Sequence, residues 1–174
     1  MNKYLLIFFT TLFSISAFAQ SQLKLGYVDS ETILNQFPEA IKAQGDLDAL
    51  TNKWSAQIDS MSLAYQQAIA DYQKQQEMMT DEKKLEAQQR IVGMEQQVLD
   101  FRRQKFGQGT GEIFREQEKI FAPIKTKIYD AIEKVAKEES MQFVFDKSGD
   151  IILLYADAAF DITFKVLDKL KRGN

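Results

Sequence analysis

A heptad ladder in the second half of the chain sets the architecture: Leu85, Val92, Leu99, Phe106, Ile113 and Ile120 recur every seven residues. Such spacing marks the seam of a coiled coil. An earlier stretch steps by three or four through Leu47, Leu50, Trp54, Ile58, Met61, Tyr65, Ala68 and Tyr72, with Met79 a heptad further on. Between the two lies Thr80-Asp81-Glu82, a capping residue followed by acids, which suits the end of one helix and the start of the next. Two seams therefore predict an antiparallel helical hairpin. A chain built mainly as a projecting hairpin is better fitted to hold something than to catalyse.

The first residues read as an export address. Lys3 is followed by an apolar run from Tyr4 to Phe13 and then by Ala17-Phe18-Ala19, a small-residue cleavage pattern. The run is shorter than the roughly 20 residues of a membrane-spanning helix, and no later segment approaches that length. The sequence thus predicts a cleaved signal peptide over residues 1–19 and a soluble exported protein starting near Gln20. Cleavage removes one lysine and no acid, so the formal charge moves from −3 to −4. That balance gives no general attraction to nucleic acid. The chain has no cysteine and no histidine. Export therefore brings no disulfide framework. The commonest zinc and copper ligands and every Ser-His or Cys-His pairing are also missing, so no catalytic, cofactor or metal residue is nominated.

After the cleavage site, Leu23-Lys24-Leu25-Gly26-Tyr27-Val28 alternates like a half-buried strand, and Asp29-Ser30 suits a helix cap. A first long helix is expected over residues 31–79, about 70 Å in length, bent near Pro38 and weakened at Gly45. A second is expected over residues 81–140, with hinge or kink points at Gly107, Gly109 and Gly111 and at Pro123. Residues 141–145 and 151–156 are apolar and β-rich, joined by Asp146-Lys147-Ser148-Gly149-Asp150, and read as a β-hairpin. This loop superficially suggests a calcium site, but its sixth position is Ile151 rather than glycine. Ile162, Val166, Leu167 and Leu170 mark one face of a short terminal helix.

The expected organisation is a signal peptide (1–19), the first part of a β body with the start of the long helix (20–46), a coiled-coil arm (47–117), and a return (118–174) that completes the body. A few short strands and one short helix bury too little to stand alone, and their open edges invite pairing. Self-association through the strands solves both problems, and a cyclic trimer sets several arms around one base.

These features resemble the periplasmic seventeen-kilodalton chaperones, the Skp or OmpH family. The resemblance rests on Leu25-Gly26-Tyr27-Val28-Asp29, on the long polar hairpin, and above all on the C-terminal block. That block comprises Ile128-Tyr129-Asp130-Ala131-Ile132-Glu133-Lys134-Val135-Ala136-Lys137-Glu138-Glu139, Phe143-Val144-Phe145-Asp146, Leu154-Tyr155-Ala156-Asp157 and Asp161-Ile162-Thr163. It implies a mainly α fold with a small β body, in which a long coiled-coil hairpin is inserted between strands that form a shared trimeric barrel. It also implies an ATP-independent periplasmic holdase that shelters unfolded outer-membrane β-barrel proteins between its arms. Best-known members are strongly basic, whereas residues 47–117 here carry 11 acids and 9 Lys or Arg. A uniformly positive cavity is not expected and no lipopolysaccharide site is carried over, while contact with a membrane surface stays open.

In the arm, the partner positions of the heptad ladder are Gln88, Glu95, Arg102, Gly109 and Glu116, none of them a hydrophobic knob. A half-filled seam predicts a mobile arm with a joint at Gly107, Gly109 and Gly111. Off this seam, Leu63, Ile69, Met78, Ile91, Met94, Val98, Phe101 and Phe114 are candidate client contacts, since scattered apolar side chains bind varied segments weakly, while packing beside the seam is the simpler reading of each. Arg102 and Arg103 join them as candidates for acidic client segments or lipid phosphates. With Lys105 they form a dense basic cluster, whose simpler reading is a solvated charged face paired with Asp100 and Glu95. Trp54 fits the first seam as packing. The rival reading of the whole chain is a structural coiled-coil spacer or adaptor of the cell envelope.

Overall fold

The computed structural model describes residues 23–149 and 153–173, and in it the two ends of the chain meet as a two-stranded parallel sheet. Strand β1 is Leu25–Val28 and β2 is Phe143–Asp146, paired from Leu25 against Phe143 to Val28 against Asp146. A parallel pair needs a crossover between its strands. Here the crossover is the whole arm. Residues 1–19, expected as a signal peptide, lie outside the described residues.

Asp29 caps helix α1, Ser30–Gln36, its carboxylate accepting from the Thr32 N–H at 2.8 Å. Phe37 is extended because the residue before a proline avoids the helical region, and Pro38 then opens helix α2, Pro38–Gln75. The single helix expected over residues 31–79 is therefore two, finished by a 3-10 turn over Gln76–Met78. The expected bend near Pro38 is this break. Thr80 caps α3, Asp81–Phe106, and α4, Glu112–Glu138, follows after residues 107–111. The second long helix is thus also divided, at its glycines. Pro123 lies inside α4 without ending it. Among the described residues no helix is long and apolar enough to cross a membrane.

Three contacts trace the antiparallel return. Gln88 donates to the Tyr72 hydroxyl at 2.7 Å near the tip, Phe106 meets Trp54 edge-on at 5.9 Å midway, and Lys127 pairs with Glu39 near the base. From Tyr72 to Trp54 and from Gln88 to Phe106 the two legs keep step at 18 positions each. Below that, the outgoing leg uses 15 positions from Glu39 to Trp54, while the return uses 21 from Phe106 to Lys127. Residues 107–111 take up most of this six-position excess.

The core lies at the base. Val28, Ile33 and Phe37 meet Ile162, Val166 and Leu167 of the terminal region, whose helix α5 is Thr163–Arg172. Ala40 and Ala43 of α2 and Ile124, Ile128, Ala131 and Val135 of α4 close the same cluster. The body is thus more than strands and one short helix, because the roots of both arm legs supply half of its clustered core.

The expected C-terminal β-hairpin is corrected. Residues 143–146 pair with the N-terminal strand instead, Tyr27 makes a further parallel bridge to Asp161, and Leu153 to Ala156 form no strand in the single chain. Residues 150–152 of the expected second strand lie outside the described residues. The loop after β2 serves as a cap rather than as a calcium loop. The Asp146 carboxylate accepts from the Ser30 N–H at 3.1 Å, the Ser30 hydroxyl at 2.5 Å and the Ser148 N–H at 3.1 Å, while the Ser148 hydroxyl accepts from the Glu31 N–H. The orphan N–H groups opening α1 are therefore satisfied from residues about 117 positions away.

Burial pushes the Asp146 carboxyl up, but the hydrogen bonds from Ser30 and Ser148 outweigh it and hold it below its usual value of 3.8. A depressed carboxyl stabilises the fold fully above that value and loses its contribution as pH falls through the lower folded-state value. Asp146→Ala should cost about 1–2 kcal/mol, as for a lost helix cap, in thermal unfolding near neutral pH. It should also remove part of the acid-induced loss of stability below 3.8, read by circular dichroism.

Candidate functional site

An arm of two helices can bury only one stripe from each leg, and α3 carries two candidates. The stripe that packs is Ala87, Ile91, Met94, Val98, Phe101 and Lys105, alternating by four and three. Ala87 and Val98 are buried, and Ile91, Met94 and Phe101 are half-buried. They face the α2 ladder, in which Leu47, Trp54 and Ile58 are buried and Leu50, Met61, Tyr65, Ala68 and Tyr72 half-buried. The expected seam on α3 is corrected accordingly: Leu85, Val92 and Leu99 are 57, 56 and 42% exposed. Only the proximal part of that ladder, Phe106, Ile113 and Ile120, is partly covered. The reason is that a seam needs two apolar positions per heptad. Burying the ladder would also bury Gln88, Glu95 and Arg102, at a desolvation cost that the alternative stripe avoids.

This exchange rearranges the candidate contacts. Val98 is 9% exposed and belongs to the seam, Met94 and Phe101 are half-buried beside it, and Ile91, also half-buried there, keeps part of its surface open. Ile69 is half-buried, while Leu63, Met78 and Phe114 are exposed. To these the structure adds Leu85, Val92 and Leu99, which sequence reasoning had assigned to packing. The signal that would have separated them is the run of polar partners at Gln88, Glu95 and Arg102.

Near the tip, Ile69, Tyr72, Ile91 and Val92 line an open groove of about 390 Å³ together with Gln73, Gln76 and Gln88. No charged side chain borders it. The groove and the exposed stripe share Val92, so the two form one partly apolar stretch of the distal arm. The basic cluster divides. Arg102 and Arg103 are exposed, with the Arg103 guanidinium 3.6 Å from Asp100. Lys105 turns inward over Trp54, which is buried as packing.

The three glycines lie together at the α3–α4 break. Gly109 has φ +71°, a region that favours glycine, and a Cβ on Gly111 would meet the Gly107 and Lys105 carbonyl oxygens at 2.8 Å. The turn is closed by the Gly111 N–H donating to the Gly107 carbonyl at 2.7 Å and by the Gly107 N–H donating to Arg103 at 2.8 Å. It is a defined turn rather than a weak stretch of helix.

The family model of OmpH-like outer membrane proteins matches residues 24–170. The chain belongs to the OmpH-like family. No curated protein matches it by sequence. Among solved structures, an OmpH-like outer membrane chaperone candidate from Caulobacter crescentus CB15 superposes with a TM-score of 0.74. The two share 11% identity, and the match covers 86% of this chain and 85% of that one. At that identity the likeness is one of fold. Within the OmpH-like arm, exposure distinguishes an open apolar stripe from the seam.

Single substitutions separate the two stripes. Val98→Asp should destabilise the arm by about 2 kcal/mol or more through a buried charge, whereas Leu99→Asp should stay within about 0.5 kcal/mol of the parent. Thermal unfolding followed at a helix-sensitive wavelength reads the difference.

Proposed function

We propose that this OmpH-like protein is an ATP-independent periplasmic holdase that shelters unfolded outer-membrane β-barrel proteins between its arms. One observation carries the reading: Leu85, Val92 and Leu99 stand exposed along an arm whose own seam does not use them. Apolar side chains spaced along a helix, with Leu63, Met78 and Phe114 scattered about them, suit many weak contacts to an extended apolar chain. Weak, multiple contacts also permit release without nucleotide, once membrane insertion becomes more favourable. The arm's net charge of −2 over residues 47–117 makes apolar contact, rather than a positive cavity, the main grip on the client.

The proposed assembly is a homotrimer joined through the small sheet. Supporting it, Leu154 and Tyr155 are 94 and 84% exposed, beside an apolar groove of about 590 Å³ walled by Leu25, Tyr27, Phe145, Leu153 and Phe160. This groove is larger than that of the arm, yet it borders the open strands of the body, and a second copy is its fitting occupant. The Lys3 and Ala17-Phe18-Ala19 pattern supports export to the periplasm through a cleaved signal peptide.

Native mass spectrometry of the mature protein, alone and with a urea-diluted outer-membrane barrel protein, tests the reading. A trimer carrying one unfolded client is the expected species. A trimer that leaves the client to aggregate favours the envelope spacer instead, and a monomer removes the shared barrel. The triple variant Leu85→Gln, Val92→Gln, Leu99→Gln should keep its helicity while losing about ten-fold in client affinity, as expected when several apolar contacts are removed together.

A further inference from the structure

Lys105 departs furthest from its expected setting. Arg102 and Arg103 nearby lie in water, but the Lys105 side chain is only 14% exposed. Its ammonium lies 4.9 Å from the Trp54 ring centroid and 5.5 Å from that of Phe101. It also donates to the Glu112 carboxylate, whose side chain is 28% exposed. Lys105 belongs to the last turn of α3 and Glu112 is the first residue of α4. The ion pair therefore spans the glycine turn. Phe106 adds an edge-on contact to the same Trp54 ring.

Each element favours the closed arrangement. A base at the end of one helix and an acid at the start of the next complement both helix dipoles. A cation over two aromatic faces, shielded from water, is attracted more strongly than an exposed one. Without the pair, the hydrogen bonds left within residues 107–111 are the short backbone bonds of a glycine-rich turn.

We propose that Lys105 and Glu112 form a latch that fixes the angle of the arm's glycine joint and keeps Trp54 covered. The stiffness of the joint then follows the ion pair rather than the glycine content. Glycines alone make a free hinge; glycines spanned by this pair make a set elbow. The proposal stands apart from client binding.

Trp54 is the only tryptophan, so its fluorescence reports the latch directly. Two variants of the full mature chain test it: Glu112→Gln, which keeps shape and removes charge, and Lys105→Met, which keeps the aliphatic fill over the rings. Acrylamide quenching of Trp54 and amide exchange at residues 107–111 should both rise in each variant, with helicity unchanged. The exchange should quicken by about five-fold, as for the loss of a half-buried pair from a local opening equilibrium. Parent-like quenching and exchange in Glu112→Gln overturn the proposal. So does exchange that rises equally along residues 87–98, which marks general loosening. If Glu112→Gln loses helicity, Lys105→Met decides: unchanged exchange at the joint overturns the latch, and faster exchange supports it.

Discussion

Everything in this molecule depends on two four-residue strands from opposite ends of the chain lying side by side. A parallel pair that short cannot hold itself together, and its loop-closure entropy is that of more than one hundred intervening residues. The fold offsets this by placing buried apolar residues on every element that leaves the pair. Val28, Ile33, Phe37, Ile162 and Val166 pack as one cluster, and the roots of both arm legs are stitched into it. Asp146 and Ser148 add polar closure, because the helix that begins after β1 is capped by the loop that follows β2. Either end of the chain is thus incomplete without the other, which makes the base and the arm one cooperative problem.

The arm is governed by a different constraint, the cost of burying charge. Two apolar series wind along α3, and by residue type the seven-residue ladder looks the stronger, with larger side chains at perfect spacing. The series through Ala87, Met94 and Val98 wins because both of its positions in each heptad are apolar until Lys105. What the loser leaves behind is a row of aliphatic side chains in water. Under the proposed holdase reading that row is a surface rather than a flaw, since the seam closes without it.

The hairpin, its turn at Thr80, the break at Pro38 and the interruption of the helix at its glycines were legible in the sequence, because each is dictated locally by periodicity, capping or backbone restriction. The α2 ladder was legible for the same reason. The choice of seam on α3 was not, since it depends on comparing the partner positions of two stripes rather than on finding one. The pairing of β2 with β1 was hidden for another reason. A β-rich run, a turn and a second β-rich run make a convincing local hairpin, while the true partner of Phe143-Val144-Phe145 lies at the far end of the chain. Lys105 was read as part of a solvated cluster with Arg102 and Arg103. Its inward turn follows from Trp54 and Glu112, one far off in sequence and the other seven residues away.

The unequal legs of the arm carry a consequence for how such proteins change over time. Because β1 and β2 must meet in register, the outgoing and returning helices have to arrive at the base together. Lengthening the tip by whole heptads on both sides preserves that meeting, but an insertion on one side alone would throw the strands out of alignment. The five residues between α3 and α4 store such an imbalance as a compact loop. In this chain they take up most of the six extra positions of the returning leg, so the base closes although the two legs differ in length.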